Sequence, residues 1–245
     1  MAGHSRWAKV KNFKGAIDAK RGKIFAKLSK EITIATKLAG ADPDMNPRLR
    51  MALFKCRGAN MPNDNIDRAI KKGTGGGETT DFVDLTYEVY GPNGVAMLVE
   101  LSTDNRNRTA AEIRSILTKS GGSIATAGSV TRLFQRKGQM IISRDAANED
   151  QLMEIALEAG AEDFKAEAEG YEVLTDPIHF EAVHKQIEAK EIKCASAEVT
   201  YLPTITVPLT DPTAVSAVTK LTDLLEDHED VKEVYSNAEF PEAAG

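Results

Sequence analysis

The residues best suited to chemistry in this sequence are cations at closely repeated positions. Arg6, Lys9, Lys11, Lys14 and Lys20 fall within the first twenty residues, where Asp18 is the sole acid, and Trp7 and Phe13 sit among them. Lysine and arginine displace counterions when they meet phosphates, and an exposed aromatic ring can stack on an unpaired base, so this composition fits a nucleic-acid-binding segment. Lys20, Lys23, Lys27, Lys30 and Lys37 continue the series at helical spacing, with Arg21 beside them. A second set is sparser. Arg68, Lys71 and Lys72 lie near the end of an expected third helix, and Arg106 and Arg108 lie in the run Asp104-Asn-Arg-Asn-Arg-Thr109. Such residues at helix ends serve equally well as caps and dipole partners, and Asn65, Arg68 and Lys72 form only a weak version of a base-reading helix.

Catalysis has little to work with. The histidines are His4, His179, His184 and His228, and the close pair is five apart, which on a helix turns the rings about 140° from each other rather than onto one metal. A polar surface role is expected for each, and the acids of Glu226-Asp-His-Glu-Asp230 read as a solvated helix terminus. Cys56 and Cys194 are too few and too far apart for a disulfide framework or a paired zinc site. Gly73-Thr-Gly-Gly-Gly-Glu-Thr lacks the Lys and Ser/Thr that close a phosphate loop, so a flexible linker is expected there. These observations predict no enzyme activity, no metal and no cofactor.

The whole chain of 245 residues has a net charge of −6, which conceals an asymmetry. Residues 1–80 hold 17 Lys+Arg against 7 Asp+Glu, and the remaining 165 hold 14 against 30. A concentrated basic region in an otherwise acidic protein points to a negatively charged partner. The longest apolar run, Val95 to Val99, is far short of the ~20 residues of a membrane span, and no signal peptide is visible, so a cytoplasmic protein with no membrane partner is expected.

The elements that must carry these residues follow from hydrophobic period. The first twenty residues show little apolar periodicity and read as an arm; from Gly22, Ile24, Leu28, Ile32, Ala35 and Leu38 recur at helical spacing. Asn46-Pro47 starts a short helix to about Ala59, and a third runs from Asn63 or Asp64 to Gly73. Beyond the linker the pattern reads strand, turn, strand over 82–101, with Gly91-Pro-Asn-Gly94 as the turn, and then a helix over 106–119. A strand including Phe134 and 140–143, a helix over 149–159, a strand pair at 164–168 and 171–174, a helix over 178–189 and a strand over 195–202 make the βαββαβ order of a ferredoxin-like sandwich. The remaining strand at 205–209, helix at 213–225 and strand at 231–236 are too few to fold alone, so they should complete the earlier sheet. The expected fold is α+β: an N-terminal three-helix domain with its basic arm (1–80), a discontinuous α/β domain (81–130 and 204–245), and a ferredoxin-like α/β domain (131–203) inserted into it.

Several ordered motifs carry a resemblance. Ala2-Gly-His-Ser-Arg-Trp-Ala8, Asp18-Ala-Lys-Arg-Gly-Lys-Ile-Phe25, Asn46-Pro-Arg-Leu-Arg50, Ala59-Asn-Met-Pro62, Asp64-Asn-Ile-Asp-Arg-Ala-Ile-Lys-Lys-Gly-Thr74, Tyr90-Gly-Pro92 and Thr103-Asp-Asn-Arg-Asn-Arg-Thr109 are similar to successive signatures of the YebC/PmpR family. The resemblance spans essentially the whole chain and implies a helical domain followed by two α/β domains. It also implies a cytoplasmic, DNA-binding transcriptional regulator, although a mitochondrial relative is a translational activator and members are linked to the ribosome. One departure is visible. The family's usual Lys-His-Arg-Lys run is Lys11-Asn-Phe-Lys14 here, which exchanges charge for a possible ring stack.

The expected function is therefore a DNA-binding regulator of gene expression, with a translational activator bound to RNA or the ribosome as the alternative and a protein-interaction scaffold as a third reading. A scaffold should show an apolar patch on its acidic domains. Oligomeric state is not written in the sequence.

Overall fold

The computed structural model describes residues 3–75 and 82–241, with side chains from Arg21 onward. The chain opens with helix α1 (Gly3–Ala39), followed by α2 (Pro47–Gly58) and α3 (Asn63–Thr74). The helix thus begins near the N-terminus, not at Gly22. No proline interrupts the stretch, and its alanines, lysines and arginines are strong helix formers, so low apolar periodicity does not prevent a helical backbone. The trio has its own core of Ile32, Ala35, Leu49, Ala52, Cys56, Met61 and Ala69. Asn46, 1% exposed, pins the α1–α2 turn: its side chain accepts from the Leu49 amide at 3.0 Å and donates to the Ala35 and Gly40 carbonyls at 2.8 Å.

The α/β body continues with β1 (Val83–Tyr90), a 3-10 turn (Pro92–Gly94), β2 (Ala96–Thr103), α4 (Arg106–Lys119) and β3 (Ser123–Ile124). The β1–β2 turn holds Asn93 at φ 59 and Gly94 at φ 72, the left-handed region that Asn and Gly tolerate best. The chain then enters β4 (Phe134–Ser143), α5 (Glu149–Glu158), β5 (Asp163–Ala166), β6 (Gly170–Thr175), α6 (Phe180–Ala189) and β7 (Cys194–Pro203). It finishes with β8 (Val207–Pro208), α7 (Pro212–Glu226), β9 (Val231–Ser236) and β10 (Ala238–Glu239).

Residues 3–12 and 134–205 fall in one compact unit, and residues 13–133 with 206–241 in a second. In the second, the antiparallel sheet β3-β1-β2-β9 sets Val89, Met97, Val99 and Leu101 against Ile113 and Leu117 of α4 and Val218, Leu221 and Leu225 of α7. The returning segment therefore supplies β9 to the sheet begun by β1 and β2. The strand expected at 205–209 shortens to β8, which pairs in parallel with β10. Glu88 of β1 accepts from the amides of Gly128, Val130 and Thr131 at 2.5–2.8 Å and so fixes the loop that leads into β4.

The inserted sheet has the order β5-β6-β4-β7, antiparallel throughout, with α5 and α6 as its two crossovers, the ferredoxin-like arrangement. Gly138 in β4 makes room for α6: a Cβ there would stand 2.2 Å from Thr175 Oγ1 and 2.8 Å from Phe180 Cβ. Among the described residues no helix is long and apolar enough to cross a membrane.

Candidate nucleic-acid interface

The first cationic surface is the outer face of α3. Ile66, Ala69, Ile70 and Gly73 recur at three and four residues and turn inward, which leaves Arg68, Lys71 and Lys72 together on the opposite, exposed side. The Thr33 hydroxyl of α1 donates to the Ala69 carbonyl at 3.2 Å. A Cβ on Gly73 would lie 2.7 Å from Thr36 Cβ and 2.8 Å from the Thr33 carbonyl, so only glycine lets the last turn of α3 rest on α1. Gly73 was expected to end the helix, yet α3 continues to Thr74, because the glycine serves close packing instead. Arg68 donates to the Asp64 carbonyl at 3.1 Å and to the Asn65 side chain, so the one amide on this face is already engaged.

The lysines of α1 have a different environment. Lys23 pairs with Asp227 at 3.1 Å, and Lys27 donates to the Glu226 carbonyl at the end of α7. Lys30 reaches Asp230 at 2.7 Å and the Ser102 carbonyl at 2.8 Å, and lies 4.9 Å from the ring centre of Phe82. Burial pulls the Lys27 ammonium below its ordinary pKa, against the pull of Glu226, Glu233 and Asp227. Lys23, Lys27 and Lys30, expected as part of a nucleic-acid-binding series, therefore face the acidic end of α7 and the start of β9, while Lys37 is exposed.

Asp230 anchors this contact. It is 2% exposed and accepts from three side chains on two elements: Lys30 of α1, and Arg108 Nη2 at 3.0 Å and Thr109 Oγ1 at 2.7 Å, both of α4. Burial works to raise its carboxyl, but the hydrogen bonds from Lys30, Thr109 and Arg108 outweigh it and hold the group well below the usual carboxylate range. Arg108 also meets Asp104 at 2.9 Å, while Asn105 caps α4 by accepting from the Arg108 amide at 3.1 Å. Thr103 and Thr109 share a hydroxyl hydrogen bond of 2.7 Å. Of the two arginines in this run, Arg108 is held by acids and Arg106 stands exposed.

A second cluster lies across the same contact. Arg48 bonds Glu31 at 2.7 Å and Asp84 at 2.8 Å, and Lys232 stands 3.4 Å from Glu31. Burial tends to raise the Glu31 carboxyl, and its bond to Arg48 and the charge of Lys232 carry it below its ordinary value. Lys55 pairs with Glu233 at 3.5 Å.

The comparisons with known proteins agree with this architecture. The model of the TACO1/YebC protein N-terminal domain matches residues 5–76, and that of the TACO1/YebC second and third domain matches residues 82–238. The chain belongs to the TACO1/YebC family. A "probable transcriptional regulatory protein" of Halothermothrix orenii is 51% identical over 99% of this chain and 96% of its own. One of the same description from Desulforapulum autotrophicum is 50% identical over 99% and 98%. The crystal structure of a conserved hypothetical protein from Aquifex aeolicus, 42% identical, superposes with a TM-score of 0.80 over 93% of this chain and 94% of that one.

For the family's basic N-terminal segment, Arg6, Trp7, Lys9, Lys11, Phe13, Lys14 and Lys20 lie outside the described side chains, as does most of the expected linker, residues 76–81. Arg21 is exposed. Sequence reasoning missed Asp230, which it placed in a solvated terminus. The available signal was the position of the acid just before the apolar Val231 that starts a core strand. His228 is likewise no loose surface group: its ring meets Glu112 at 2.9 Å and accepts from the Asp230 amide at 3.1 Å. His184, also expected at the surface, is 9% exposed and stacks on Phe180 at 5.8 Å. Among the described residues no three His, Cys, Asp or Glu side chains are grouped to hold a metal. Burial pushes the Cys56 thiol up to about 11 and the Cys194 thiol up to about 12, far from reactive thiolates.

Proposed function

We propose that the protein is a non-catalytic, cytoplasmic, DNA-binding regulator of gene expression that grips phosphates with α3 and with the basic N-terminal stretch. The observation that carries this reading is the exposed trio Arg68, Lys71 and Lys72 on one face of a helix whose other face is fixed in a core. Three cations within about 6 Å of one another along a rigid helix suit a run of phosphates. The transcriptional name carried by its relatives supports DNA as the ligand.

One observation favours a second reading, an RNA- or ribosome-bound translational activator. The Asn65 side-chain oxygen accepts from Arg68, so neither group presents its full bidentate edge to a base, and phosphate contact by the lysines alone does not select promoter sequence. Crosslinking in cells followed by sequencing of the recovered nucleic acid tests both. Enrichment of promoter DNA supports the first reading; dominant recovery of ribosomal RNA overturns it in favour of the second.

A further inference from the structure

The inserted domain is as acidic as the helical domain is basic: residues 134–205 hold 7 Lys+Arg against 15 Asp+Glu. Its helix layer also exposes large apolar side chains. α5 buries Leu152 and Ala156 completely, while Met153 and Leu157, the next residue in each turn, remain 39% and 48% exposed. Ile178 is 85% exposed. It precedes His179, the N-cap of α6, a position from which an apolar side chain ordinarily packs onto the fourth residue of the helix. That residue, Val183, is already fully covered, and Ile178 is left in solvent. Asp176 fixes this arrangement by accepting from the Ile178 amide at 2.8 Å.

Topology brings these residues to one end of the domain. α5 leads into β5, whose first residue, Asp163, pairs with Leu174 of β6 just before the chain turns into α6. The two helices pack side by side. Glu154 and Glu158 are exposed on α5, and Glu181 lies in the first turn of α6.

We propose that this end of the helix layer is a docking surface for a cationic amphipathic helix of a partner protein. Apolar side chains of the partner would cover Leu157, Ile178 and Met153, and its lysines or arginines would face Glu154 and Glu158, the usual division between an apolar centre that supplies affinity and a charged rim that supplies rate and selectivity. Charge argues against other occupants. A nucleic acid or an anionic membrane meets a domain with eight more acids than bases, and a second copy brings the same acids to the same place.

The test uses the full chain and a fluorescein-labelled amphipathic helix built of lysine and leucine, with a shuffled peptide of identical composition as control. The amphipathic probe should bind about tenfold tighter than the shuffled one, and Leu157→Asn with Ile178→Asn should remove that advantage. Ile178→Ser alone, at a position already in solvent, should weaken the probe about threefold with an unchanged Tm, which separates docking from folding. Glu154→Gln with Glu158→Gln should flatten the salt dependence. Equal binding of the two probes, or unchanged binding by the Leu157/Ile178 variant, overturns the proposal. Self-association of the wild-type chain, or vesicle binding, that is lost in that same variant also overturns it by naming a different occupant.

Discussion

α1 and α3 carry cations at the same helical spacing, and the fold puts them to opposite uses. Lys23, Lys27 and Lys30 meet acids or carbonyls of the α/β body, whereas Arg68, Lys71 and Lys72 stay at the surface. The difference lies in what stands opposite each helix. α1 runs past the end of α7, where Asp227, Asp230 and the last carbonyls concentrate negative charge, whereas α3 rests on the core it shares with α1 and α2 and turns its cations away from it. A basic stripe in a sequence therefore reports a negative neighbour without saying whether that neighbour belongs to the same chain.

The largest expected effect breaks the α1 side. Asp230→Ala leaves Lys30 and Arg108 without their shared carboxylate and should cost about 3–5 kcal/mol, read as a lowered denaturation midpoint. The pH dependence has a definite sign. The Asp230 carboxyl is held below its unfolded value of about 3.9, so its contribution is complete above that value and fades as pH falls from there through the folded value. Denaturant titrations at pH 7 and pH 5 should give the same Asp230→Ala penalty, and the penalty should shrink below about pH 4.

Next in size is Gly73→Val, which drives a side chain into Thr36 and the Thr33 carbonyl. A loss of about 1–3 kcal/mol is expected, with weaker nucleic-acid binding because α3 is displaced. Gly58→Val, where a Cβ meets nothing within 4 Å, is the control and should stay within about 1 kcal/mol. Smaller still, Lys23→Ala removes a pair of partly exposed groups and should cost about 0.2–1 kcal/mol by thermal melting.

Much of the fold is legible in the residues. The alternation of β1, the continuous apolar run of β2, the Pro-Asn-Gly turn between them and the βαββαβ order of the inserted domain follow from local pattern, because each element signals itself within a few residues. The partner of a helix face is set by distant chain. Lys30 and Asp230 are 200 residues apart, and nothing near either one announces the pair. Arg108 illustrates the same limit. Its position at a helix start suits a phosphate, and only the return of β9 beside α4 shows that a carboxylate already occupies that place. Gly73 was legible as a helix-end signal but not as a contact, since a close approach is visible only once α1 and α3 are packed.

The measurement that bears most directly on the contrast between the helices is the salt dependence of duplex DNA binding by the full chain and by the Arg68→Ala/Lys71→Ala/Lys72→Ala variant. If α3 grips phosphates, the slope of log affinity against log salt should fall by about 0.9 for each contact removed, near 2.7 for the three, with no change in Tm. Lys30→Ala, by contrast, should lower Tm and leave the slope as it was. An unchanged slope in the triple variant, or a reduced slope in Lys30→Ala, would contradict the assignment of the interface to α3.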